Sequence, residues 1–243
     1  MSFANLATPI FSRKLLSTPE AAPAETTRVA LPVGWGKLDE ALPDAGLPRG
    51  AVVEIASPYG LARASTIALS ACASAQAEAT QRGGAETAGA WCAWIDPSLT
   101  LFAPAVARAG VDLERLLVVQ PSIEDVARVA AKVAASGAFA VVVIDLAGVP
   151  GQRAGQRLDR WSSVVRRLAL AIEGTETTVI LLTDAHAPRA MPLPVALRIE
   201  VDRAVEDVLM VRIAKDKRGR VTPAVAVSLP GATAAPDPRR KTA

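Results

Sequence analysis

The sequence predicts an α/β fold: a mostly parallel twisted sheet flanked by helices, preceded by an N-terminal arm and completed by antiparallel strands near the carboxyl end. Three observations carry this. Five short apolar runs, Ala51 to Ile55, Trp91 to Ile95, Leu116 to Val119, Ala140 to Ile144 and Thr178 to Leu182, have the continuous hydrophobicity of strands covered on both faces. Segments of helical period separate them, as parallel crossovers require. Toward the end, Ala196 to Val201, Val208 to Ala214 and Pro223 to Leu229 alternate more, the mark of antiparallel additions to the sheet.

Residues 1–28 read as an arm and linker. Phe3, Leu6, Ile10, Phe11, Leu15 and Leu16 form an apolar set over basic Arg13 and Lys14. The Pro/Ala-rich stretch Thr18 to Thr27 resists regular structure and lets the arm dock elsewhere. A helix folded back on its own core and one packed on a partner are both open, and Phe3, Ile10 and Phe11 are the candidate docking anchors. Residues 29–230 form the core. Its clearest helical stripe is Ile123, Val126, Val129, Ala130, Val133 and Ala134, with Ser122 as the expected cap and Glu124 and Asp125 in the first turn. A second helix is expected from about Arg157 to Ile172. There Leu158, Trp161, Val165, Leu168 and Ile172 make the apolar stripe, and Arg160, Arg166 and Arg167 face solvent. Residues 231–243, with Pro236, Pro238, Arg239, Arg240 and Lys241, read as a disordered basic tail.

A chain of 243 residues with 51% hydrophobic and 21% charged content can bury a sizeable single core. The longest uncharged apolar run, Ala64 to Ala77, is bounded by Arg63 and Glu78 and falls short of the roughly 18 residues of a membrane helix. The N-terminus lacks a basic region followed by an apolar stretch and a cleavage site, so secretion is not expected. Cys72, on an expected helix, and Cys92, in an expected strand, read as buried thiols of a reducing cytoplasm. A net charge of +3 and pI near 9.1 permit nucleic-acid contact without requiring it. His186 is the single histidine, which leaves serine, cysteine and metal chemistry of the histidine-dependent kind almost nothing to work with.

The segment from Gly50 to Thr66 stands where a strand, phosphate loop and helix belong. A working G-x-x-x-x-G-K-[ST] loop needs glycines for close backbone approach, a lysine for the β- and γ-phosphates and a hydroxyl for Mg²⁺. In that frame the chain offers Ser57, Gly60, Ala62, Arg63 and Ala64. Ser65 comes one place late for the metal, and Arg63 puts a planar fork where a compact charge is required.

Taken together, the lead-in Gly34 to Leu42, the Gly46 to Ile55 stretch, Trp94-Ile95-Asp96 and Ala107 to Pro121 resemble the RecA-like ATPase core over most of residues 29–229. That resemblance implies a family chemistry most of whose residues are replaced here. The glutamate that activates water two places after the strand-end aspartate is Ser98, following Asp96. Asp145 matches the aspartate that helps organise Mg²⁺ and reads as vestigial, since an acid also simply ends a buried strand. The nucleotide-sensing Asn-Gln pair is Thr183-Asp184. Lys215 and Lys217 match lysines that reach a neighbour's nucleotide. The two DNA-binding loops are short, leaving Arg153 and Arg157 in the first and Arg189 in the second. These, with Lys215, Lys217 and Arg218, are the candidate phosphate contacts, against a reading of ordinary solvated charge. No cofactor, metal or catalytic residue is expected.

Within that family, the length and degenerate motifs are similar to the ImuA family, sometimes described as SulA-related. The resemblance implies a non-catalytic, nucleoid-associated cytoplasmic accessory protein of SOS-induced translesion synthesis and mutagenesis. Its expected partners are RecA and ImuB, an error-prone C-family polymerase indirectly, and DNA through phosphates, with limitation of RecA filament activity a further implied role. A SulA-type inhibitor of cell division and a weak DNA-dependent ATPase of the recombinase type are the alternatives.

Overall fold

The computed structural model describes residues 30–58, 63–83, 90–147, 158–187, 191–205 and 207–229. The expected arm, the tail and the loops carrying Arg153, Arg157 and Arg189 lie outside these residues. Five parallel strands form where the apolar runs predict them: β1 (Ala51–Ser57), β2 (Trp91–Ile95), β3 (Leu116–Val119), β4 (Phe139–Asp145) and β5 (Thr178–Asp184). Three further strands extend the sheet: β6 (Leu197–Val205) joins β1 in parallel, so the first of the three expected antiparallel additions is instead a sixth parallel strand, and β7 (Val208–Asp216) and β8 (Val225–Ser228) follow it antiparallel. The order across the sheet is β3-β2-β4-β5-β1-β6-β7-β8, which places β1 between β5 and β6 near its middle.

Alternate residues of the same strands build two cores, one on each face. On one face Val53, Ile55, Cys92, Trp94, Val143 and Leu182 pack against the long helix α2 (Arg63–Gly83) through Ile67, Ala68, Ala71, Cys72 and Ala75, while the short helices α1 (Gly36–Ala41) and α3 (Ala103–Arg108) supply Leu38 and Val106. On the other, Val52, Ile95, Val142, Ile144 and Leu181 meet α4 (Val126–Ala135) and α5 (Leu158–Ala171) through Ala130, Ala134, Val165 and Leu168. This double cover is why β1, β2, β4 and β5 read as unbroken apolar runs; β3, at the sheet edge, lacks the expected cover and leaves Leu117 and Val118 exposed. In β6 and β7, by contrast, Leu197, Ile199, Val201, Leu209, Val211 and Ile213 are buried and the residues between them are not.

The lead-in to β1 closes over α2 from outside. Trp35 Nε1 donates to Ser70 Oγ at 2.9 Å, and the backbone at Gly34 runs so close that a Cβ there would lie 2.9 Å from Ser74 Oγ. Small residues on α2 permit that approach, so the helix carries only a weak apolar stripe. The Asp39 carboxylate accepts from the Val33 and Gly34 amides at 2.7 and 3.0 Å and folds the lead-in back on α1. Both cysteines are buried and free. The neighbouring Cys92 thiol, together with burial, pushes the Cys72 thiol well above its usual range.

One helix departs from expectation. Ser122 does not cap α4: its hydroxyl contacts Asp125 Oδ2 at 3.0 Å within a preceding turn, and the helix begins at Val126. Ile123 therefore falls outside the helical stripe and is 39% exposed, while Val126, Ala130 and Ala134 are buried. The Ser122 hydroxyl is taken by the Asp125 carboxylate and its carbonyl accepts the Asp125 amide at 3.0 Å, which closes a turn in place of a cap. α5 runs from Leu158 to Ala171, with Arg160, Arg166 and Arg167 exposed as expected.

The sheet also buries a charge. Glu54, in β1, has no exposed surface; its Oε1 accepts from the Thr183 hydroxyl at 2.7 Å and its Oε2 from Arg198 Nη1 at 3.4 Å. Arg198 lies opposite Glu54 in the β1–β6 register and also holds Glu200 Oε1, while Arg212, opposite Glu200 on β7, closes the chain of charges on Oε2. Removing one partner of such a pair leaves an uncompensated buried charge. Arg198→Met should therefore cost about 3–5 kcal/mol in denaturant unfolding, and adding Glu54→Gln should recover most of it. A single-variant loss below about 1 kcal/mol would show that the sheet does not depend on this pair.

Candidate functional site

In an open α/β sheet, ligands meet the carboxyl ends of the parallel strands. Four polar residues end those strands here: Ser57 closes β1, Asp96 follows β2, Asp145 closes β4 and Asp184 closes β5. Register sets Ser57 opposite Asp184, and Asp145 opposite Leu182. All four are buried.

The three carboxylates serve the loops that leave the sheet. Asp96 accepts the Thr100 amide at 3.1 Å, the Thr100 hydroxyl at 3.3 Å and the Leu101 amide at 2.9 Å. Its loop turns tightly enough to hold Leu99 at φ 56°. Asp145 accepts the Ala147 amide at 3.1 Å, and Asp184 the His186 amide at 2.9 Å. Each is a local side-chain to backbone turn, a use short acids fulfil without a metal. Among the described residues no cluster of three or more His, Cys, Asp or Glu side chains could hold a metal ion.

The positions of nucleotide chemistry fall around this edge. Arg63 is the first residue of α2 and is half-buried, while Ala64 directs its methyl group into the core, where it offers no oxygen to a cation. Gly60 and Ala62 lie outside the described residues. Ser98 stands two residues past Asp96, with its Oγ buried and without a hydrogen-bond partner among the described residues. A hydroxyl there cannot take a proton from water at neutral pH. Thr183 turns its hydroxyl inward to Glu54, away from any ligand at the strand end.

The second cationic group, on β7 and the turn after it, is largely matched by acids. Lys215 Nζ donates to the Leu193 carbonyl at 3.0 Å, and Arg212 pairs with Glu200. Arg218 and Arg220 both reach Asp44, and Arg220 Nε also donates to Asp216 Oδ2 at 2.7 Å. Lys217 is exposed. The phosphate contacts expected on Arg153, Arg157 and Arg189, and the docking anchors Phe3, Ile10 and Phe11, lie outside the described residues.

Sequence reasoning missed Glu54, Arg198 and Asp44. The signal for the first two was present, because a glutamate inside the run Ala51 to Ser57 needs a buried cation, and Arg198 is the cation of the alternating strand that follows. Nothing local marks Asp44, whose partners lie 174 and 176 residues away.

Comparison with known proteins agrees with this geometry. The sequence pattern of the RecA N-terminal domain family matches residues 21–185, more than half the chain, ending at the close of β5. Protein RecA of Cutibacterium acnes is 33% identical over 173 residues, covering 66% of this chain and 47% of its own length. Protein RecA of Leifsonia xyli subsp. xyli is 32% identical over 181 residues, 70% of this chain and 46% of its own. Protein RecA of Mycolicibacterium smegmatis is 33% identical over 166 residues, 63% and 44% of the two. The chain spans about half the length of the curated relatives it matches. With its mostly parallel eight-stranded sheet and flanking helices, the chain belongs to the RecA N-terminal domain family.

Proposed function

We propose that this chain is a non-catalytic accessory factor of SOS-induced translesion synthesis and mutagenesis, of the ImuA kind: a RecA-like core that docks on partners and does not turn over nucleotide. One observation carries the reading. The sheet of the family is intact, while the groups that chemistry needs at its carboxyl edge are replaced together, with Arg63 and Ala64 in the phosphate-loop frame, Ser98 for the water-activating carboxylate and Thr183 committed to Glu54. Phosphoryl transfer is almost wholly positioning and charge stabilisation, so losing the lysine, the metal hydroxyl and the base removes its main contributions at once. Retained Asp145, Lys215 and Lys217 support the rival reading, a weak DNA-dependent ATPase.

Docking is supported at the sheet edge. β3 is the terminal strand of the parallel side, and its Leu117 and Val118 are each 40% exposed. An open edge with apolar side chains can receive an extended segment of another chain. In this reading RecA and ImuB are the direct partners, the C-family polymerase is reached through ImuB, and DNA is met through its phosphates without sequence preference. Work of this kind takes place in the cytoplasm, at the nucleoid. A RecA-like subunit that docks without hydrolysis would cap or remodel a filament and so limit its activity.

Calorimetry with Mg-ATP, with and without single-stranded DNA, should detect no binding in the micromolar range. Micromolar affinity, or an ATPase activity abolished by Arg63→Ala, would overturn the non-catalytic reading in favour of its rival. Replacing Phe3, Ile10 and Phe11 together by alanine should abolish pull-down of RecA or ImuB and suppress damage-induced mutagenesis, while the melting transition of the core stays cooperative. Survival of both interactions and of mutagenesis would remove the arm as the docking element.

A further inference from the structure

The contact between Asp44 and the turn after β7 differs in kind from the other ion pairs of the sheet. Arg212 and Glu200 face each other in strand register, as do Arg198 and Glu54, so these pairs belong to the sheet itself. Asp44 sits outside it, in the short 3-10 turn Pro43–Ala45 that precedes β1. Its carboxylate takes three donors from two arginines: Arg220 Nη1 on Oδ1 at 2.7 Å, Arg220 Nη2 on Oδ2 at 2.9 Å and Arg218 Nη1 on Oδ2 at 3.2 Å. A guanidinium fork facing two oxygens of one anion, with a second guanidinium beside it, is the arrangement that holds a phosphate.

Three features mark the carboxylate as a displaceable occupant. All three side chains are partly open to solvent, at 38% for Asp44, 48% for Arg218 and 39% for Arg220. The turn that delivers the carboxylate is conformationally strained: Asp44 and Ala45 are consecutive non-glycine residues at φ 61° and 54°. Arg220 keeps its aim when Asp44 leaves, because Asp216 Oδ2 also takes its Nε at 2.7 Å and its amide at 3.2 Å, and exposed Lys217 adds a third cation on the same turn.

We propose that Arg218 and Arg220, with Lys217, form a binding site for the DNA phosphate backbone that Asp44 closes in the free protein, so that DNA engages this turn by displacing the Pro43–Ala45 turn. The proposal rests on the reading that the chain meets DNA through phosphates, and it names where and under what control. Hydrogen bonding from Arg220 holds the Asp44 carboxyl below the usual carboxylate range, consistent with a closed site at neutral pH.

The test is fluorescence anisotropy of a labelled oligo-dT with the full chain across a salt series, with inorganic tripolyphosphate as competitor. Asp44→Asn should bind about tenfold more tightly than wild type, with a salt slope steeper by about one to two. Adding Arg218→Ala and Arg220→Ala should erase the gain. An unchanged or weaker affinity in an Asp44→Asn protein that melts within a few degrees of wild type overturns the proposal. So does a gain that survives loss of both arginines, or one that tripolyphosphate cancels as effectively per phosphate as unlabelled oligo-dT, which would mark a site for free phosphates. Should the variant fail to fold, hydrogen exchange on the wild-type chain decides: amides of residues 44–47 should exchange faster with oligo-dT bound, and unchanged protection there overturns the switch. RecA and ImuB pull-down on the wild-type chain reads the accessory role separately, so either reading can fail while the other stands.

Discussion

A carboxylate with no exposed surface in the middle of an eight-stranded sheet sets conditions on everything around it. Glu54 must find its counter-charge and its hydrogen bonds inside the protein, because desolvating an unpaired ion costs several kcal/mol. It finds Thr183 on one side and Arg198 on the other. Strands β5 and β6, on either side of β1, are thereby tied together through one side chain. Arg198 in turn engages Glu200, and Glu200 engages Arg212, so β1, β5, β6 and β7 share one network of charges. The extension after β5 is accordingly part of the core and not an appendage. The helices on both faces complete the constraint, since only a sheet covered on both sides keeps water from Glu54.

The same arrangement bears on the carboxyl edge. Thr183, which the resemblance sets where a nucleotide-sensing residue is expected, turns its hydroxyl to Glu54. Asp96, Asp145 and Asp184 turn the chain out of the sheet by accepting backbone amides. Among the described residues those turns are held by the protein's own amides, and Ala64 fills core space where the phosphate-loop frame places a hydroxyl. In the proposed reading fold and chemistry have separated: packing maintains the first, while the second needs a few groups that packing does not protect.

Charge follows a similar division. The modest positive excess of the composition does not form a broad cationic face on β7, because Glu200, Asp216 and Asp44 neutralise Arg212, Arg220 and Arg218. Which cations meet a polyanion depends on which acids can leave. Glu54, with no exposed surface, is held within the sheet, whereas in the proposed switch Asp44, on a strained turn, is the acid that leaves.

The sequence by itself determined the class of fold and most of its strands, because those signals are local. Buried parallel strands are continuous apolar runs, so Ala51 to Ile55 and Thr178 to Leu182 were legible at once, and a phosphate loop is a fixed spacing of glycines, lysine and hydroxyl, so Arg63 and Ala64 in that frame were legible as departures from it. α5 was legible to within a residue at each end by its stripe of Trp161, Val165, Leu168 and Ile172. The start of α4 was not, since Ser122 serves a turn as readily as a helix cap. The tertiary structure alone decided what α2 packs against, because its small residues receive the lead-in on one side and the sheet on the other. It alone paired Glu54 with Arg198 and Asp44 with Arg218 and Arg220. Those partners are separated by 144 to 176 residues, and electrostatic partnership depends on distance in space, which chain order does not encode.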